Sequence, residues 1–322
     1  MVPLSAGPWR ASALAAGGSV LLFMAPWFIP LLGALVSLWA PLPLVLAYRQ
    51  KGLTAGRRAL VLALMGAWLT SALFNSVAGG LYFLFYAAVA LALGEAPHRR
   101  ISEPRALGLA ALLAMGVVLG LMLGSAILHG QDPLDMWQAY WQRELDTVLT
   151  MYGQMGLEAD QVGQVREGLT SAARLVLRLA PCVLICGSLL LAWANLLAAR
   201  SAQRRLAQRG PEFGPAPEAL DLWKAPEPLV WLVIVAGGVT WAGDGWWFWA
   251  GVNALLVLGV VYFFQGMAVV AYWLNRKNAP RLLRTGLYVL VAVEVFLALL
   301  VALAGLFDMW FNFRRLDKEP SA

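Results

Sequence analysis

Residues 289–305 read VLVAVEVFLALLVALAG, a stretch of seventeen residues in which Glu294 is the one charged side chain. Such a stretch is typical of a helix that crosses lipid, because about 20 apolar residues span roughly 30 Å of hydrocarbon. An acid near the centre of a span is costly, by about 2.5–3.5 kcal/mol for Asp on insertion scales. The stretch therefore predicts a membrane-spanning helix and a role for Glu294.

The composition of the whole chain indicates the same class. Of its 322 residues, 61% are hydrophobic and 13% are charged, whereas a soluble domain carries about 25% charged residues. A soluble protein this apolar would expose large patches and aggregate. We therefore expect an all-α, polytopic transmembrane protein in contact with the lipid bilayer.

Nine apolar segments are long enough to be read as spans, with eight spans as the alternative. Prolines at 26 and 30 separate the first two segments, and Pro41 and Pro43 predict a kink in the second. Eight spans result if the opening pair or the pair around Trp241–Trp249 counts as one span. The segments are 11–25, 28–47, 59–75, 77–94, 106–129, 174–199, 228–243, 246–274 and 285–306.

The distribution of basic residues predicts a cytoplasmic N-terminus in a bacterial inner membrane. With that orientation most of the 24 Lys and Arg residues lie in inner segments, as the positive-inside rule requires. This placement also accounts for the net charge of +6 without nucleic acid. The C-terminal tail does not fit, because nine spans put Arg314, Arg315 and Lys318 outside.

Three regions follow from the pattern. Residues 1–130 form a five-span N-terminal half, and residues 173–322 form a four-span half with a basic cytoplasmic loop at 200–227. Residues 131–172 form an extracytoplasmic segment whose apolar residues recur at helical spacing after Asp132 and Pro133. This amphipathic segment packs on the spans or caps a cavity below them, and the sequence leaves both open.

No motif of a soluble enzyme is present, so we expect no enzymatic activity and no cofactor. Cys182 and Cys186 lie one helical turn apart without the further ligands of a metal site. His98 and His129 fall at opposite membrane faces in the predicted topology and do not share a metal. We therefore predict no catalytic residue and no metal ligand.

Polar residues in the last two spans are the candidates for ligand or proton binding. Counting about nine residues from each cytoplasmic end, at 1.5 Å per residue, places Gln265 and Glu294 at one depth and predicts a hydrogen bond between them. Asn253 and Asp244 extend a polar line along the same hairpin, and Tyr262 adds a hydroxyl. Glu294 either joins two helices through this bond or lines a cavity that binds a solute.

Three stretches carry a resemblance to a known family. They are LRLAPCVLICGSLLLAWANLLAAR (177–200), LWKAPEPLVWLVIVAGG (222–238) and GLFDMWFNFRR (305–315). In these the chain resembles the YybS-like family of bacterial membrane proteins, domain of unknown function 2232. The resemblance covers most of the chain and implies no established activity.

The N-terminal half, with PLPLVLAYRQKG at 41–52, is also similar to the S components of energy-coupling-factor vitamin transporters. That similarity implies a small-molecule site in the membrane and partner ATPase and coupling subunits. This chain departs from the pattern by three further spans and the outer segment. We therefore expect a transport-related protein that binds a small solute, with a non-enzymatic membrane scaffold as the alternative.

Overall fold

A computed structural model of the chain describes residues 8–74, 77–130, 132–154, 159–209 and 220–314. Every regular element in those ranges is helical, which confirms the all-α prediction. A 3₁₀ turn at Leu220–Leu222 precedes α9. The helices are α1 (Pro8–Phe28), α2 (Pro30–Ser37), α3 (Pro41–Lys51), α4 (Leu53–Leu73), α5 (Val77–Glu95), α6 (Glu103–His129), α7 (Pro133–Gln154), α8 (Ala159–Ala207), α9 (Leu229–Ala242), α10 (Trp246–Arg276), α11 (Arg281–Val293) and α12 (Val295–Phe311).

Five helical segments are long and apolar enough to cross a membrane, and the pair α11–α12 makes six if it counts as one broken span. Nine spans are not confirmed. Length is the physical reason for the predicted span 228–243, since α9 has 14 residues, or about 20 Å at 1.5 Å per residue. Length does not explain α4, which has 21 residues and is not among the candidate spans. The five segments are Trp9–Phe28, Pro30–Lys51, Glu103–His129, Gly163–Ala207 and Trp246–Arg276.

The predicted proline breaks are confirmed at Pro30 and Pro41, whereas Pro26 lies inside α1 and Pro43 lies inside α3. The chain leaves helical geometry at Ile29, immediately before Pro30, and a turn at residues 38–40 separates α2 from α3 at Pro41. Proline suits the first turn of a helix because the missing N–H would have no partner there. Pro30 therefore starts α2, and Pro41 starts α3.

Two helices lie in the described part of the segment 131–172, as its periodicity predicts, while residues 131 and 155–158 lie outside the described residues. The first, α7, begins at Pro133, and the second is the start of α8, which runs without interruption from Ala159 to Ala207. Arg166 of α8 donates a hydrogen bond to Asp146 of α7 at 3.3 Å. From Ala159 onward, the second predicted stretch therefore continues into the candidate span Gly163–Ala207.

The chain forms two compact units. The N-terminal unit comprises Met1–Ala180 and Gly187–Ala216, and the C-terminal unit comprises Pro181–Cys186 and Pro217–Ala322. Residues 187–209 therefore group with the N-terminal helices, although they follow the segment 131–172 in sequence. The division into membrane halves and an outer segment stays a prediction about topology.

The N-terminal unit is closely packed because small residues line its helix contacts. The buried face of α4 carries a small residue at every fourth position, and the ring of Tyr48 lies against Gly56 and Gly94. Small residues let helix backbones approach closely, which stabilises helix pairs in lipid. The buried residues of α4 are Ala55, Gly56, Ala59, Ala63, Ala67 and Ser71.

Buried polar side chains form hydrogen bonds to the turn that separates α2 from α3 in the N-terminal unit. Ser19 donates to the carbonyl oxygen of Ala40 at 2.6 Å, and Asn195 donates to that of Leu38 at 3.0 Å. Both carbonyls belong to the turn between α2 and α3, where helical partners are lacking. These bonds stabilise the turn inside an apolar unit.

The C-terminal unit is built around α10, which packs against both α9 and α12. At the α10–α12 contact, Gly266 lies against the backbone of Val301, and Gly305 lies against the backbone of Tyr262. Because the numbering falls on α10 as it rises on α12, the two helices run antiparallel. This close approach brings the end of α12 beside the middle of α10.

The contact predicts that Gly266→Ala is destabilising. A Cβ at Gly266 would overlap the carbonyl oxygen of Val301, and such overpacking costs about 1–3 kcal/mol. Gly259→Ala is the matched control, since the same helix leaves open space around Gly259. Thermal unfolding of the purified proteins should show a lower Tm for Gly266→Ala alone. Equal Tm values would contradict the contact.

Candidate functional site

The side chain of Gln265 is buried in the C-terminal unit and does not bind Glu294. Its Nε2 donates to Oδ2 of Asp308 at 3.3 Å, and its Oε1 accepts from the backbone N–H of Ala225 at 3.1 Å. The predicted bond between Gln265 and Glu294 is therefore wrong. Counting depth along a straight span fails because the chain bends by 103° between α11 and α12, at Glu294.

Asp308 and Arg314 form an ion pair that is fully withdrawn from the surface. Both side chains have 0% relative exposure. Arg314 donates from Nη2 to Oδ2 of Asp308 at 2.7 Å and from Nε to the same oxygen at 3.1 Å. Removing two charges from water is costly, and only good geometry with additional hydrogen bonds compensates for it.

The additional hydrogen bonds come from the segment before α9. Nη1 of Arg314 donates to the carbonyl oxygens of Asp221 at 2.7 Å and Trp223 at 2.9 Å. All three guanidinium nitrogens of Arg314 therefore donate hydrogen bonds. We call Gln265, Asp308, Arg314 and the backbone of residues 221–225 the Asp308 cluster.

A chain of hydrogen bonds links the Asp308 cluster to the exposed end of α10. Oδ2 of Asp221 accepts from Nδ2 of Asn275 at 2.8 Å. Arg284 of α11 donates to Oδ1 of Asn275 at 2.6 Å and to the carbonyl oxygen of Ala279 at 2.9 Å. The start of α11 is therefore fixed to the end of α10 through side chains.

Two carboxylate oxygens of the cluster region are buried and lack a partner. Oδ1 of Asp308 and Oδ1 of Asp221 accept no hydrogen bond from any described residue. A buried acceptor without a donor costs about 1–3 kcal/mol, and more when it is charged. Chemically, this arrangement suits an N–H donor or a small cation.

A metal ion is not indicated by the same residues. Within the ranges that the structure describes, no group of three or more His, Cys, Asp or Glu side chains is arranged to hold one. The two free oxygens belong to only two carboxylates, and Arg314 already compensates one of them. A donor group on an organic cation matches this set better than a metal does.

Glu294 lies at the bend as the residue between α11 and α12. The side chain of Glu294 is exposed. The neighbouring Val293 and Val295 are 72% and 83% exposed. Glu294 therefore marks a break in the predicted span, and its role in binding stays a prediction.

The other predicted polar residues do not converge on Gln265. Asn253 accepts a hydrogen bond from the backbone N–H of Cys182 at 3.0 Å, beside Pro181, whose ring interrupts helical bonding. Asp244 is exposed in the turn between α9 and α10. Tyr262 is buried and donates to the sulfur of Met309 at 3.5 Å. Only Gln265 and Tyr262 face α12, and the binding role of all these residues stays untested.

Sequence reasoning missed Asp308, Arg314 and Asp221. Asp308 and Arg314 stand near the end of the last apolar stretch, where charged residues usually mark the membrane edge. The available signal was their spacing, since an acid and a base six residues apart flank Asn312, which has a left-handed backbone (φ 42°). Such a residue ends a helix and turns the chain back.

Comparison with known proteins identifies relatives without a stated activity. A family model described as "Predicted membrane protein (DUF2232)" matches residues 19–309. The chain is 22% identical over 295 residues to "Uncharacterized protein YybS" of Bacillus subtilis (strain 168), covering 90% of this chain and 92% of that protein. No solved structure matches. The expected similarity to S components of energy-coupling-factor transporters is not shown.

The geometry predicts that Arg314→Gln is strongly destabilising. The change leaves Asp308 buried and uncompensated, which costs about 3–5 kcal/mol. Arg281→Gln is the control, because Arg281 is exposed and its loss should stay within about 0.5 kcal/mol. Chemical or thermal unfolding measures the change in stability of both variants.

A double-mutant cycle separates the ion pair from general damage to packing. Asp308→Asn combined with Arg314→Gln removes both charges, so the double variant should be less destabilised than the sum of the single variants, by about 0.5–3 kcal/mol. Additive effects would show that the two side chains do not interact.

Proposed function

This chain belongs to the DUF2232 family of predicted membrane proteins, and we propose that it is a transport-related, non-enzymatic protein that binds a small cationic solute between its helices. The solute carries an ammonium or guanidinium group. Its binding site is the Asp308 cluster of the C-terminal unit. Partner membrane or ATPase subunits would supply the energy of transport.

One observation carries this proposal: the fully buried carboxylate of Asp308 has an oxygen, Oδ1, without a donor among the described residues. In an apolar environment such an oxygen favours a charged N–H donor, since charge-assisted hydrogen bonds are about twice as strong as neutral ones. Arg314 supports the assignment because it is itself a guanidinium held by the same carboxylate. The solute presents the same chemistry to the remaining oxygen.

Entry to the site requires movement of protein segments that cover it. Arg314, which follows α12, is bonded to the segment 221–225 through the carbonyl oxygens of Asp221 and Trp223. Asp221 lies in the 3₁₀ turn, and Trp223 and Arg314 lie outside helices. Because none of the three residues belongs to an α-helix, their separation leaves α10 and α12 intact. We propose that this separation opens the site.

A membrane scaffold remains the second candidate, and a specific observation favours it. Every guanidinium nitrogen of Arg314 is bonded to the protein itself. A closed cluster of this kind fixes the segment before α9 to the end of α12 without a ligand. In this alternative, the cluster is structural and the exposed apolar helices bind a partner.

The two functions are distinguished by thermal unfolding of the full-length protein with a panel of amines, guanidines and vitamins. A solute at 100 times its Kd adds about 2.7 kcal/mol to stability. We expect at least one cation to raise the Tm of the wild type and of Glu294→Gln, but not that of Asp308→Asn.

A second variant keeps the test informative if Asp308→Asn does not fold. Asp221→Asn removes the other unpartnered oxygen and should weaken the same solute. If no panel member shifts the wild type, the scaffold is favoured. If the shift is lost in Glu294→Gln and kept in Asp308→Asn, the solute binds at the bend.

We further propose that the protein lies in the bacterial inner membrane with its N-terminus and its C-terminal tail in the cytoplasm. Contacts between Arg314 and residues 221 and 223 support a tail on the side of the basic loop 200–227. This arrangement needs an even number of spans. Nine spans would separate the two segments.

Reporter fusions test this topology. A reporter inserted after Arg209 and one fused to the C-terminus should both give a cytoplasmic signal, because residues 221–223 and 314 are in contact. A cytoplasmic signal at the first site with an external signal at the second would contradict the proposal.

A further inference from the structure

Two arginines are buried at one end of the N-terminal unit. Arg49 lies in the last turn of α3, and Arg200 lies near the end of α8. Their side chains are 3% and 7% exposed, and between them lies Glu103, 26% exposed, in the first turn of α6. Basic residues predict that this end faces the cytoplasm.

The charges of this group do not balance. Nη1 of Arg200 pairs with Oε2 of Glu103, and Nη1 of Arg49 lies 3.6 Å from Oε1 of the same carboxylate. The other contacts of Arg49 are neutral, with Gln203 at 3.2 Å and the carbonyl oxygen of Leu93 at 3.4 Å. Two guanidinium groups therefore share one carboxylate, and one positive charge is left over.

The same guanidinium groups carry donors that bind nothing. Nη2 of Arg49, and Nε and Nη2 of Arg200, are buried without a hydrogen-bond partner among the described residues. Buried N–H groups are nearly always bonded in proteins, so three such nitrogens in one group require an explanation. Guanidinium groups match the oxygens of phosphate in a planar, bidentate geometry.

We propose that Arg49 and Arg200 form a binding site for a phosphate group, supplied by an anionic lipid or by free phosphate. The anion provides the missing negative charge and accepts hydrogen bonds from the three unpartnered nitrogens. The N-terminus of α6, which begins at Glu103, adds a favourable dipole. Glu103 is the most exposed of the three charged side chains and competes with the anion for both arginines.

The test uses full-length protein in detergent free of phospholipid, at constant ionic strength. Thermal unfolding is followed during titration with inorganic phosphate and, separately, with short-chain phosphatidylglycerol. We expect a saturable rise in Tm with at least one of them. Arg200→Gln should weaken the apparent affinity about tenfold or more, because it removes charged hydrogen bonds.

Two further variants test whether the effect of Arg200→Gln arises at the proposed phosphate site. Arg205→Gln is the matched control, since Arg205 is an exposed arginine of the same helix, and the affinity should not change. Glu103→Gln removes the competing carboxylate and should increase the affinity for the anion. A purely structural role of Glu103 predicts no such increase, so this variant remains informative if Arg200→Gln does not fold.

The outcomes identify the source of the phosphate group or reject the site. Binding of phosphatidylglycerol alone assigns the site to a lipid headgroup, and binding of inorganic phosphate as well assigns it to the free ion. Absence of binding by both anions overturns the proposal. So does an equal loss of affinity in Arg200→Gln and Arg205→Gln, or an affinity that Glu103→Gln leaves unchanged or lowers.

Discussion

The buried ion pair of Asp308 and Arg314 is the interaction on which the C-terminal unit depends. Two opposite charges without exposure to water are stable only if the geometry is good and the remaining donors are bonded. Arg314 meets this condition by adding two carbonyl oxygens of residues 221–223. The end of α12 and the segment before α9 must therefore meet at the middle of α10. The close contact of α10 and α12 at Gly266 allows this meeting, since any larger side chain would separate the helices.

The class and the helical elements could be predicted from the sequence because lipid imposes simple rules. Apolar length, proline position and the periodicity after Pro133 each act locally, and the structure has helices at the predicted segments and breaks at Pro30 and Pro41. The number of spans was not predicted correctly by apolar length alone, because the last apolar stretch is broken at Glu294. The pairing of Gln265 was wrong because it depends on tertiary geometry. Depth counting assumed a straight span, whereas the chain bends at Glu294. The buried ion pair of Asp308 was not predicted, because an acid near the end of an apolar stretch is usually a residue at the membrane edge.

The two units differ in which buried polar atoms lack a hydrogen-bond partner among the described residues. In the C-terminal unit one arginine meets one carboxylate, and all guanidinium nitrogens of Arg314 are bonded, while acceptor oxygens are left over. In the N-terminal unit two arginines share Glu103, and donor nitrogens are left over. Unpaired acceptors favour a cation and unpaired donors favour an anion. The two proposed sites therefore differ in the sign of the ligand that each accepts.

Hydrogen exchange at the backbone N–H of Ala225 tests the central claim most directly. This amide lies outside regular helix, and the buried side chain of Gln265, itself bonded to Asp308, accepts its hydrogen bond. If the ion pair holds the segment 221–225 in place, Ala225 exchanges slowly in the wild type and much faster in Arg314→Gln, while helical amides of α10 exchange at the same rate in both. Rapid exchange of Ala225 in the wild type, or equal rates in the two proteins, would contradict the claim.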